Sequence, residues 1–83
     1  MYYVYVLSLD CIGGKEFYIG YTSDLKRRMI GHGSGNTRST KNRNPILIYY
    51  EAYDDKYLAL KREKGLKDSG SVYMSLMKRL DLK

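Results

Sequence analysis

Runs of alternating and β-branched apolar positions predict strands in three places, and helical spacing predicts helices in three others. Residues 2–9, YYVYVLSL, are rich in aromatic and β-branched side chains and predict a first strand. DCIGGK at 10–15 has turn chemistry, with Gly13-Gly14 as the expected reversal. Residues 16–21 then predict a returning strand, antiparallel to the first. Thr22, Ser23 and Asp24 offer N-caps for a helix over about 24–32. Residues 33–44, GSGNTRSTKNRN, hold no apolar side chain and read as an exposed loop. Pro45 introduces a third strand over 46–53, ILIYYEAY, whose unbroken apolar run predicts a central or doubly covered position. Asp54 and Asp55 can cap a second helix over about 55–67. A third helix over about 71–81 carries Val72, Leu76 and Leu80 on one face. The expected fold is one small α/β (α+β) domain over residues 1–83, a three-stranded, mostly antiparallel sheet flanked by helices.

One stretch disturbs that pattern. FYIGYT at 17–22 sets Gly20 between two tyrosines inside an apolar strand. A glycine there removes a packing side chain, so it marks a bulge or a close approach. Either the strand simply ends in a turn, or Gly20 clears space beside a phenol with a chemical role. Ten tyrosines against one phenylalanine and no tryptophan make the second reading worth pursuing.

Charge narrows the partners. Fifteen lysines and arginines against nine acidic residues give +6, which points to a polyanion such as nucleic acid. Arg38, Lys41 and Arg43 concentrate positive charge in the polar loop, with Arg27 on the preceding helix. Arg62 and Lys64 are placed for solvent or phosphate. The single cysteine, Cys11, cannot form an internal disulfide, which suits a reducing cytoplasmic setting. No apolar run approaches the roughly 20 residues a membrane helix needs, and no signal-peptide pattern opens the chain, so no membrane partner is expected.

Helical spacing brings chemistry-bearing residues together. Leu25, Arg28, Met29 and His32 fall at i, i+3, i+4 and i+7, which puts Arg28 and His32 beside an apolar stripe while Arg27 points elsewhere. Ala59, Glu63 and Leu66 share a face of the next helix. Glu63 can pair with Lys67 at i+4, or hold a hard cation, since Mg²⁺ commonly takes one or two carboxylates plus waters and phosphates.

Together, Tyr3-Val4-Tyr5, Tyr18-Ile19-Gly20, Arg28, His32 and Glu63 resemble the motifs of the GIY-YIG nuclease family. The likeness spans essentially the whole chain and is greatest to small stand-alone members related to the N-terminal domain of a bacterial excinuclease. It implies an endonuclease hydrolysing phosphodiester bonds in DNA or RNA with one Mg²⁺ or Mn²⁺ ion, in a setting such as DNA repair or recombination. By the same resemblance Tyr5 and Tyr18 are catalytic tyrosines, Arg28 is phosphate-directed, His32 occupies a His-or-Tyr position, and Glu63 is the metal ligand. A phenol ordinarily titrates near 10, so either tyrosine serves as base only where positive charge, from Arg28 and the ion, lowers that value. The residues leave open which of the two it is.

Two departures stand out. Tyr3 replaces the glycine of the first motif. No asparagine follows Glu63, where the family often has one, and Ser69, Ser71 and Ser75 are the nearby polar substitutes. The alternative reading is therefore a nucleic-acid-binding module with weak or no catalysis, and a less favoured one is a tyrosine-rich protein-binding scaffold. In the nuclease reading, a protein partner could supply specificity that so short a chain lacks.

Overall fold

The computed structural model describes residues 1–33 and 43–82. Strand β1 (Tyr2–Cys11) and strand β2 (Gly14–Thr22) are followed by helix α1 (Leu25–Gly33), strand β3 (Ile46–Tyr53), helix α2 (Lys56–Asp68) and helix α3 (Gly70–Arg79). All pairings are antiparallel, in the order β2-β1-β3. The reversal between β1 and β2 sits one residue earlier than expected. Cys11 pairs with Gly14, leaving Ile12 and Gly13 as the turn. Gly13 has φ +88°, a conformation that costs a glycine little and a side chain much.

The strand at the centre is β1, not β3. Val4 to Leu9 are all buried, because successive side chains enter two separate apolar layers. Val4 and Val6 pack with Ile19, Ala59, Leu66, Leu76 and Met77, under α2 and α3. Tyr5, Leu7 and Leu9 pack on the other face with Tyr18, Leu25, Met29 and Leu47, under α1. Each fully buried aliphatic side chain contributes about 1.5–3 kcal/mol. Strand β3 lies at an edge and half-buries alternate residues only, with Ile46, Ile48 and Tyr50 exposed. Its apolar run is misleading because hydrophobicity in a strand does not require cover on both faces. Ile48 is also the extra residue of a bulge, since Val6 pairs with Tyr49 while Leu7 pairs with Leu47.

Capping fixes the helices. The Asp24 carboxylate accepts from the Arg27 amide at 3.1 Å. Asp55 accepts from the Tyr57 amide at 2.8 Å, and the Ser69 hydroxyl from that of Val72. These side chains satisfy N–H groups that a first helical turn leaves without partners. Helix α1 consequently starts immediately after β2, which sets its buried face over the Tyr5 layer.

Candidate active site

Gly20 lies directly across from Tyr5 in the β1–β2 ladder. A Cβ at Gly20 would overlap Cζ and Oη of Tyr5. The glycine therefore makes room for a phenol of its own sheet. Tyr21, one position on, packs in the opposite layer.

Three rings from three elements meet at this point. Tyr5 Oη and His32 Nε2 share a buried hydrogen bond of 2.9 Å. The Tyr18 ring centroid lies 6.4 Å from that of Tyr5 and 5.6 Å from that of His32, and the Tyr5–His32 separation is 5.7 Å. Helical periodicity explains how His32 arrives there: Leu25 and Met29 pack against the Tyr5 layer and carry His32 down with them. Tyr5 and His32 are almost fully buried, whereas Tyr18 is partly exposed.

Charged groups surround the rings. Burial, then the neighbouring Tyr18, pushes the Tyr5 phenol up to about 12; Glu63 adds to the rise and Arg28 opposes it. The expected lowering of a phenol by Arg28 is thus outweighed at Tyr5. Burial and then the Arg28 charge lower His32, so its imidazole is neutral at pH 7. Arg28 is itself exposed, and it borders a polar cavity of about 280 Å³ with Thr22, Ser23, Asp24 and Arg27. The two arginines therefore converge on one cavity, although helical spacing alone separates them. Among the described residues neither guanidinium forms an ion pair.

Glu63 stands half-buried on α2, and Lys67 donates to its Oε2 at 3.2 Å. No group of three or more His, Cys, Asp or Glu able to hold a metal occurs among the described residues. A lone carboxylate with one exposed partner suits an ion that keeps most of its waters, as Mg²⁺ does, and not one that demands an all-protein cage.

The remaining candidates divide. Arg43 is tied to the hairpin: its Nη2 donates to Glu16, its Nε donates to the Asp10 carbonyl, and its own carbonyl accepts from the Asp10 amide. Arg38 and Lys41 lie outside the described residues. Of the three serines, Ser69 borders the groove beside Tyr18, while Ser75 lies in a different cavity with Arg62 and Arg79. Arg62 is not free for phosphate, because it forks onto Glu51 through Nε at 2.9 Å and Nη2 at 3.0 Å.

That pairing belongs to a network that sequence reasoning misses. Tyr49 and Tyr53 donate to the two oxygens of Glu51 at 2.6 and 2.5 Å, and Arg79 donates to Tyr49 Oη at 2.9 Å. It joins β3, α2 and α3. Burial opposes the Glu51 charge, but the hydrogen bonds from Arg62, Tyr49 and Tyr53 outweigh it and hold the carboxyl below its usual range. The available signal is the Y-x-E-x-Y spacing at 49, 51 and 53, which puts all three side chains on one face of a strand.

Two tyrosines and a histidine thus meet beside a glycine, with an arginine and a glutamate acting on the Tyr5 phenol. The chain belongs to the GIY-YIG family: the GIY-YIG catalytic domain matches residues 1–75. Membership supports a nuclease-type function. Similar proteins include UPF0213 proteins of Streptococcus pyogenes serotypes M3 and M5, each 43% identical over 63 residues. The aligned region covers 74% of this chain and 65% of each relative, so the chain spans less than two thirds of their length. No solved structure matches significantly. No helix among the described residues is long and apolar enough to cross a membrane.

Proposed function

We propose that this protein is a divalent-metal-dependent endonuclease that hydrolyses phosphodiester bonds in DNA or RNA. The observation that carries the reading is the convergence of Tyr18, the Tyr5–His32 pair, Arg28 and Glu63 around one edge of the sheet. Glu63 holds the ion, Mg²⁺ or Mn²⁺. Bound there, such an ion would lower the pKa of a coordinated water and offset charge on the phosphoryl group.

The chain's own groups divide the remaining work. Tyr18 is the only partly exposed ring of the three, so it faces water and, as phenolate, accepts the proton of the attacking water to become the phenol. Tyr5 is unsuited to that task, being 1% exposed with its phenol at about 12. It anchors neutral His32 and backs Tyr18. Arg28 takes a phosphate oxygen and stabilises the charge that develops on it. Arg27, on the same cavity, extends the contact along the strand, and Arg38 and Lys41 add electrostatic grip from the loop. DNA repair or recombination is the setting proposed, in the cytoplasm, with specificity supplied by a protein partner.

Tyr5 held protonated and Glu63 paired with Lys67 favour the second reading, a nucleic-acid-binding module with little catalysis. Labelled single-stranded, duplex and branched DNA and RNA, incubated with Mg²⁺ or Mn²⁺ and with EDTA, separate the two. Metal-dependent products from the wild-type protein support the nuclease. Binding without products, in either metal, supports the module.

A further inference from the structure

A groove of about 380 Å³, bordered by Tyr18 of the ring cluster, runs along the outer edge of β2. That volume falls within the range of ligand-binding clefts. Leu66, 2% exposed, forms its floor. Phe17 and Tyr18 border it from β2, and Tyr73 borders it from α3. Exposed Lys67 stands at its mouth and donates to Glu63. The groove therefore shares one wall, Tyr18, with the candidate active site, and its one charged lining residue touches the proposed metal carboxylate.

We infer that this groove receives an unpaired nucleobase next to the scissile phosphate, so that the substrate is single-stranded or locally unpaired nucleic acid. The inference rests on the nuclease reading for the position of the cut. The rings of Phe17 and Tyr73 and an aliphatic floor offer apolar surface to the faces of a base, and every base has such a face. A base inside a duplex has both faces covered by its neighbours and cannot enter. The charge pattern selects a polyanion over an apolar peptide, because the chain carries +6.

The test uses single-stranded oligonucleotides with 2-aminopurine at successive positions, bound to wild-type protein in EDTA. Emission changes at one position, adjacent to the cleavage point mapped separately with Mg²⁺. An abasic residue at that position weakens binding about tenfold, the loss expected for one stacked base. Tyr73→Leu weakens binding of the intact strand by a similar factor, adds little to the abasic loss, and is rescued by Tyr73→Phe. Uniform emission along the strand, with no abasic penalty, overturns the inference. So does equal affinity for fully paired duplex. The abasic arm needs no protein variant, so a Tyr73 variant that fails to fold leaves the test intact. An abasic penalty from a protein that cuts nothing in Mg²⁺ or Mn²⁺ would retain the groove and remove the nuclease.

Discussion

Arg62 and Glu63 are neighbours on α2, yet they belong to two differently built acidic centres. Glu51, with Arg62, Tyr49 and Tyr53 around it, has both oxygens bonded, and its side chain is 14% exposed. Among the described residues Glu63 has one partner, an exposed lysine one helical turn away. The first arrangement holds three elements together and leaves no lone pair aimed at solvent. The second leaves coordination capacity beside a cluster of buried rings. A saturated carboxylate is a structural joint, whereas an undersatisfied one near a perturbed phenol is a place for chemistry.

Substitutions can break that contrast. The largest effect belongs to Glu63→Gln, which is expected to lower metal-dependent cleavage by about 10³-fold, in line with losing a group that organises transition-state charge. Its cost to stability is only about 0.5 kcal/mol, that of an exposed helical pair, and a denaturant titration checks it. Tyr18→Phe comes next. Removing a general base lowers single-turnover cleavage by about 10²-fold, while Tyr5→Phe, which removes only the anchor of His32, loses less. The opposite ordering would move the base to Tyr5.

Glu51→Gln reverses the profile. It leaves buried donors poorly matched, costing about 1–3 kcal/mol and on the order of 10 °C in Tm, with cleavage per folded molecule unchanged. The pH dependence follows from the same joint. Glu51 is lowered in the folded state, so its stabilisation is present above its unfolded pKa and is lost as pH falls through the folded one. Acid unfolding followed by circular dichroism should shift in Glu51→Gln and not in Glu63→Gln. Gly20→Ala is expected to cost about 1–3 kcal/mol by forcing the Tyr5 ring aside, and it should also reduce cleavage.

The smallest effect sharpens the comparison most finely. Tyr5 and Tyr53 both titrate near 12, each raised first by burial. Next in order come Tyr18 at Tyr5 and the Glu51 hydrogen bond at Tyr53. Tyr49 is raised too, first by burial and then by its hydrogen bond to Glu51, so spectrophotometric titration should find three late phenols in the wild type. Glu51→Gln should bring Tyr49 and Tyr53 down and leave Tyr5.

Much of this is legible in the chain. Strand and helix periods locate all six elements, and the i, i+4, i+7 positions of Leu25, Met29 and His32 fix which face of α1 carries the histidine inward. Gly20 signals a close approach, but only the strand register shows that Tyr5 is what approaches. Three things are not legible. An apolar strand looks alike at an edge and at the centre, so its pattern misplaces β3. Arg62 and Arg43 find partners, Glu51 and Glu16, that are distant in sequence. The Tyr5 phenol rises because burial outweighs Arg28, a balance that depends on depth and not on residue type.

The most direct measurement sets wild type, Glu63→Gln and Glu51→Gln side by side in single-turnover cleavage of a labelled single strand with Mg²⁺, normalised to folded protein. The account predicts cutting by wild type and Glu51→Gln, with Glu63→Gln reduced about 10³-fold but still binding. Full cleavage by Glu63→Gln would contradict it, because the carboxylate assigned to the ion would then have no part in the reaction.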